Sequence, residues 1–254
     1  MKNSTVSKIL MAVAVCMLIT GGISVANGWE VHFNDWGIGE RGSGNVKSET
    51  RQLGDFHSIE ANGFMDVYVT QGESGPVRIE GDDNLLDNIT TEVRGGVLVI
   101  GTTEGSITTN NDMKIYVSMR DIRKLAVAGS GSIQGQNDFK TGDIGLEIEG
   151  SGDIKVAGTF KKLKSEISGS GDIAVKGTAT SQSVEVNGSG DVHAEELQTI
   201  GDCHVEISGS GDCRVWANGI LKAEINGSGD VRYKGTPTSV DSDISGSGSV
   251  SRLK

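Results

Sequence analysis

Two columns of carboxylates carry most of the chemical capacity of this sequence. The tripeptide Gly-Ser-Gly starts at Gly129, Gly150, Gly169, Gly188, Gly209, Gly227 and Gly246, and directly after its third glycine stand Ser132, Asp153, Asp172, Asp191, Asp212, Asp230 and Ser249. Three residues before its first glycine stand Ala126, Glu147, Glu166, Glu185, Glu206, Glu224 and Asp243. If the copies stack as neighbouring strands, like charges lie about 5 Å apart at roughly 1 kcal/mol per pair even in water, so something must compensate. For the aspartates the first reading is hydrogen bonding from backbone N–H groups of their own corners, as in Asx turns. The second is a hard divalent cation, which takes several carboxylate oxygens and makes Asp153, Asp172, Asp191, Asp212 and Asp230 candidate calcium ligands. The pattern partly matches the calcium repeat G-G-x-G-x-D, but its period is about nineteen rather than nine and a second glycine-rich turn is missing. The glutamates read as a solvated outward face, helped by Lys155, His193, Arg214 and Arg232 on the following strands.

The rest of the inventory is thin. Of the histidines His32, His57, His193 and His204, the last two are close in sequence but read as separate surface residues. There is no nucleophile elbow and no zinc-ligand spacing, and a phosphate-cradling loop would need a Lys after its glycines. Trp29, Trp36 and Trp216 are candidate handles for sugar rings. Trp216, however, aligns with Gln136, Ala157, Lys176, Glu195 and Lys234, and a single exposed ring usually signifies nothing. Cys203 and Cys213 replace two core aliphatics within one repeat, so they are a candidate disulfide in an oxidising compartment. The competing reading is two buried thiols packing as small apolar groups.

The elements that position these residues follow from the spacing. The Gly-Ser-Gly copies are separated by 21, 19, 19, 21, 18 and 19 residues. Two residues before each copy stand Val127, Ile148, Ile167, Val186, Ile207, Ile225 and Ile244; two residues after each copy stand Ile133, Ile154, Ile173, Val192, Cys213, Val231 and Val250. Alternation extends from these anchors, and period two means strands. Each repeat is then strand, sharp glycine corner, strand and a looser return such as Gly158-Thr159-Phe160. A unit this small buries its apolar face only by stacking on its neighbours, which predicts an all-β, right-handed β-solenoid of rungs of about nineteen residues, its seven copies spanning on the order of 30 Å.

The half before Gly129 is less regular. Gly42-Ser43-Gly44-Asn45-Val46 and Asn62-Gly63-Phe64-Met65-Asp66-Val67 resemble variant corners, with strands expected at Phe64–Thr70, Val77–Glu80, Gly96–Gly101 and Met113–Ser118 and a helical turn at Asp83–Asn88. This half reads as the wider, capping end of one β structure; two separate domains are the alternative.

At the N-terminus, Lys2 and Lys8 precede the apolar run Ile9–Thr20 and the small residues Ser24 and Ala26, the layout of a secretory signal peptide cleaved between Ala26 and Asn27. Cys16 follows Val15 in mid-run, which argues against lipidation. The run is shorter than a transmembrane helix needs, and no later stretch is long enough. Cleavage removes two lysines and no acid, taking the net charge from −11 to −13 and making nucleic acid and anionic membrane poor partners. The expected layout is signal peptide 1–26, linker 27–41 and solenoid 42–254, irregular over 42–128 and repeating over 129–254.

The run GSGNVKSETRQLGDFHSIEANGFMDVYVTQGES, the run DDNLLDNITTEVRGGVLVIGT and the recurring GSGD followed by Ile or Val resemble the head GIN domain family, described as putative auto-transporter adhesins of bacteria. The resemblance spans about residues 41–254. It implies an all-β, right-handed solenoid-like fold and export to the cell envelope, with no established activity and no defined binding residues to carry over. The functional expectation is an exported, non-catalytic surface, adhesion or scaffold module in the periplasm, at the outer membrane or outside the cell, with a glycan or an envelope or extracellular protein as partner. No cofactor is expected unless the aspartates take calcium. The alternative is a carbohydrate-active β-helix enzyme, which a deep acidic groove would favour.

Overall fold

The computed structural model describes residues 40–103 and 107–253, within a compact unit formed by Gly39–Lys254. The expected signal peptide with its Ala26–Asn27 junction, Cys16, Trp29, His32 and Trp36 lie outside the described residues. Among the described residues no helix is long and apolar enough to cross a membrane, and a single 3-10 turn at Leu86–Asn88 interrupts the strands.

The rung is clearest in the strands Asp153–Gly169 and Asp172–Gly188, 17 residues each, which pair in parallel from Asp153↔Asp172 to Gly169↔Gly188. Ile154, Val156 and Phe160 point inward on alternate positions, then Leu163, Ser165 and Ile167 do so. Between the two sets Lys161 and Lys162 both face outward, a phase change that marks a corner inside the strand. The column Ile148, Ile167, Val186, Ile207 and Ile225 is in register, and no member is more than 1% exposed. Burial of each such side chain contributes about 1.5–3 kcal/mol as an upper estimate. β-branched residues suit this pleated interior.

The Gly-Ser-Gly corners stack as well. The first glycine's carbonyl accepts a hydrogen bond from the serine N–H of the next corner, as in Ser170 N–H to Gly150 O at 2.8 Å and Ser189 N–H to Gly169 O at 2.8 Å. Gly169 has φ +140, and a Cβ there would lie 2.1 Å from Gly150 O. A side chain at that place would push the rungs apart.

The N-terminal half extends this stack before ending it. Ser58–Gly63 pairs in parallel with Lys124–Gly129, bringing Gly63 opposite Gly129, and Asp66–Gln71 pairs with Ser132–Gly135. On its other side the same coil pairs with Val97–Thr102 and Lys114–Met119. The coil at 58–71 is therefore inserted between segments that follow it in sequence. Antiparallel strands close this end: Val46–Arg51 on Val77–Asp82, Val77–Asp82 on Lys114–Met119, and Ile89–Arg94 on Val97–Thr102. The four expected strands are present within one or two residues of their expected bounds, and the expected helical turn is the 3-10 turn.

Gly42–Asn45 does not join the corner stack. It wraps the buried Asp82, whose carboxylate accepts hydrogen bonds from Gly44 N–H at 3.0 Å and Asn111 Nδ2 at 2.6 Å; a Cβ on Gly42 would lie 1.9 Å from Asp82 Oδ2. At the opposite end, among the described residues, Ser239–Gly246 and Ser249–Arg252 each pair on one side only, and Val240 and Ile244 are each 39% exposed.

Candidate functional site

The two carboxylate columns lie on either side of the corner and therefore on different walls. Before the corner, Glu147, Glu166, Glu185, Glu206, Glu224 and Asp243 are in register from rung to rung. Lysines compensate three of them: Lys164 and Lys222, two residues earlier on the same strand, pair with Glu166 and Glu224, and Lys124, on the preceding rung, reaches Glu147 at 2.5 Å. The Lys222 ammonium holds the Glu224 carboxyl below its usual range. Two residues after the ladder run Glu149, Ser168, Asn187, Ser208, Asn226 and Ser245, also in register. Where Ala126 and Ala128 interrupt these columns, a shallow recess opens between Glu60, Lys124 and Glu147.

Lys155 and Arg232, expected to help the glutamates, instead flank the aspartates, because the corner turns their strands onto the other wall. Lys155 lies 3.7 Å from Asp153, and Arg232 reaches both Asp212 at 3.1 Å and Asp230 at 2.8 Å. Arg214 lies beside His193 at 3.3 Å on this wall, while His204 stands in the Lys222 column on the glutamate wall. The two histidines therefore belong to different faces.

Four of the five aspartates, Asp172, Asp191, Asp212 and Asp230, find backbone donors, but not those of their own corners, whereas Asp172 N–H passes over Asp153 to Gly152 O at 3.3 Å. Asp172 Oδ1 accepts from Asp191 N–H at 3.2 Å, Asp191 Oδ1 from Asp212 N–H at 2.7 Å, Asp212 Oδ1 from Asp230 N–H at 2.9 Å, and Asp230 Oδ1 from Ser249 N–H at 3.0 Å. Each carboxylate thus tethers the next rung, and the ladder ends on Ser249, whose hydroxyl donates back to Asp230 at 2.7 Å. That hydroxyl, followed by Arg232, holds the Asp230 carboxyl below its usual range. Among the described residues no three His, Cys, Asp or Glu side chains are grouped to hold a metal ion.

The Cys203–Cys213 bridge is not formed: both thiols are free and buried. Cys203 is in register with Gln182 and Leu221 before the corner, and Cys213 with Val192 and Val231 after it. Cys203 Sγ lies instead 3.9 Å from Gln182 Oε1, which also accepts from the Thr199 hydroxyl at 3.1 Å. Burial pushes the Cys203 thiol up to about 12 and Cys213 well above its ordinary value.

Trp216 is half-buried and packs against Gly235, with Lys234 Nζ 5.9 Å from its ring centroid. It pairs with Gln198 rather than aligning with Glu195, because the longer rung there shifts register between Ala194 and Gln198. The tyrosines Tyr68 and Tyr116, which sequence reasoning passed over, stack at 5.2 Å with Arg78 over the Tyr116 ring at 3.7 Å. Their faces are turned to each other and to Arg78, so the trio braces rungs and offers a sugar little ring surface.

A further recess lies at the N-terminal end. From Phe139 onward the coils close through stacked return segments, Phe139–Thr141 on Gly158–Phe160 on Gly177–Ala179. The preceding coils run through loops instead. The Gln71 amide caps the edge of the return stack, accepting from Lys140 N–H at 2.7 Å and donating to Lys140 O at 3.1 Å. Beyond it the loops around 55–57, 73–74 and 120–123 enclose a cleft of about 570 Å³ lined by Asp55, Phe56, His57, Glu73, Arg120, Asp121 and Arg123. The signal for it in the sequence was the missing return motif before residue 139.

These features define a parallel β-solenoid with charged ladders on its walls and a polar cleft at its capped end. The sequence pattern of the family described as "Putative auto-transporter adhesin, head GIN domain" matches residues 55–237, and the chain belongs to that family. Similar solved structures include a putative adhesin from Bacteroides fragilis NCTC 9343, with 25% identity and a TM-score of 0.77 over 85% of this chain and 100% of that one. A putative lipid binding protein from Parabacteroides distasonis ATCC 8503 has 28% identity and a TM-score of 0.71 over 85% of this chain and 99% of that one. A putative adhesin from the same organism has 25% identity and a TM-score of 0.68 over 84% and 99%. The comparison with curated proteins finds no match.

Proposed function

We propose that this chain is an exported, non-catalytic binding module that presents its glutamate wall to an extended or repetitive partner at the cell envelope. The observation that carries this reading is the in-register ladder from Glu147 to Asp243 with its neighbouring column of hydroxyls and amides. A partner with its own repeat can engage several rungs spaced about 4.8 Å apart, so that weak contacts add. The carboxylates stand side by side along an open wall; catalysis asks for groups that converge in a water-excluding pocket. The N-terminal sequence supports export, and the names of similar structures support adhesion. The lipid reading attached to one neighbour draws no support from the recesses described, which are lined largely by charged groups.

The test is a screen of the chain, without residues 1–26, against glycans and matrix proteins, followed by Glu166→Gln, Glu185→Gln and Glu206→Gln singly and together. Binding should weaken in steps as carboxylates are removed. Polysaccharide cleavage abolished by one carboxylate substitution in a folded variant would replace this reading with the enzyme.

A further inference from the structure

The cleft at the capped end combines a fixed frame with unengaged charges. Its loops are tied to one another through the backbone: Gln71 Nε2 donates to Arg120 O at 3.1 Å, the Ser118 hydroxyl to Glu73 O at 2.7 Å, Gly72 N–H to Met119 O at 3.0 Å, and Arg123 N–H to His57 O at 2.8 Å. Ile122, between the two arginines, is fully buried and anchors their loop. His57 is held over the Gly95–Gly96 turn, its N–H donating to Gly96 O at 2.9 Å and its Nδ1 lying 3.0 Å from the Ser58 hydroxyl. Among the described residues, however, Asp55, Glu73, Arg120, Asp121 and Arg123 enter no ion pair with one another or with any neighbour. This contrasts with the walls, where lysines and arginines pair with adjacent acids.

We propose that this cleft binds a carboxylate-bearing sugar, a uronic-acid type of ring carried on a glycan. The proposal rests on the reading of the chain as a binding module and places a ligand class away from the wall. Guanidinium groups are forks that match a carboxylate with two parallel hydrogen bonds, and Arg120 and Arg123 provide two of them on one anchored loop. Ionised Asp55, Glu73 and Asp121 only accept hydrogen bonds, so they call for donors, which the hydroxyls of a pyranose ring supply. Phe56, half-buried against the core, provides an apolar edge for the ring's C–H face. A bare anion would meet three carboxylates with nothing to donate, and a neutral sugar could accept from the guanidinium groups but would bring them no counter-charge. A uronate answers both. A frame already tied in place reduces the ordering that binding requires.

The experiment is calorimetric titration of the chain lacking residues 1–26 with trigalacturonate and a hyaluronan tetrasaccharide. Galactotriose serves as the ring without a carboxylate, and a triaspartate peptide as carboxylates without the ring. At least one uronate should bind about tenfold more tightly than both controls, and Arg120→Ala/Arg123→Ala should remove that preference. The unfolding midpoint of the double variant should stay at the wild-type value, because among the described residues neither guanidinium has an ion-pair partner to lose. Failure of both uronates to exceed galactotriose, equal binding of triaspartate, or a preference surviving in the double variant would overturn the assignment. Glu166→Gln/Glu185→Gln is titrated in parallel. Wall-dependent binding without uronate binding sinks the cleft alone; uronate binding with no wall-dependent partner sinks the wall reading alone.

Discussion

Replacing a corner glycine by alanine separates two reasons for glycine that occur together in most rungs. Gly63 and Gly169 both have positive φ, +115 and +140, a region that disfavours any Cβ by about 1–3 kcal/mol. They differ in what lies beneath them. A Cβ on Gly63 meets nothing nearer than Met65 Cε at 3.6 Å, whereas one on Gly169 would lie 2.1 Å from Gly150 O. That is roughly an ångström closer than such contacts occur, so the rung must lift and lengthen the 2.8 Å hydrogen bond from Ser170 N–H to Gly150 O. Overpacking of this kind costs about 1–3 kcal/mol, and the weakened corner bond about 0.5–1.5 kcal/mol more. Gly63→Ala should therefore lose only the φ contribution, and Gly169→Ala should lose about 1.5–4.5 kcal/mol beyond it. Urea unfolding followed by circular dichroism measures both. Equal losses in the two variants would show that close rung stacking is not what demands glycine at the corner.

The aspartate ladder predicts that Asp191→Ala, which removes the acceptor of Asp212 N–H, destabilises by about 1–2 kcal/mol. Asp191→Asn keeps an acceptor oxygen and should stay within about 0.5 kcal/mol of wild type in the same unfolding assay; the reverse order would assign the carboxylate another role. Asp82, Asp83, Glu224 and Asp230 all have pKa values held below the ordinary carboxylate range, by Thr109 and Asn111, by Ser43 and Lys47, by Lys222, and by Ser249 and Arg232 respectively. A depressed folded-state pKa contributes stability that is present above the unfolded value and lost as pH falls through the folded one, so the melting temperature should drop below about pH 4. A melting temperature that keeps rising toward about pH 2 would contradict these contacts. With Cys203 and Cys213 free and buried, an unreduced chain lacking residues 1–26 should show no reactive thiol when native and both when unfolded. Finding none after unfolding would restore the disulfide.

What the sequence determined by itself is the rung. Alternation around Ile167 and Ile173, the polar outward columns and the repeating Gly-Ser-Gly are all properties of neighbours within about nineteen residues, and strand pleating converts them directly into inside and outside. The same local signals located the strands at Asp66–Gln71 and Lys114–Met119. The tertiary structure decided whatever depends on which segments lie one strand spacing apart. It placed the coil at 58–71 between later segments, so Gly63 became a true corner while Gly42–Asn45 became a wrap around Asp82. It turned Asp172, Asp191, Asp212 and Asp230 toward the following rung instead of their own corners, a choice between donors that the spacing of aspartates leaves open. It set Cys203 and Cys213 on different walls, although both positions read as inward. It also opened the cleft, because Asp55, Glu73 and Arg120 lie in three loops that no periodicity connects and that meet only where the return stack stops at Phe139.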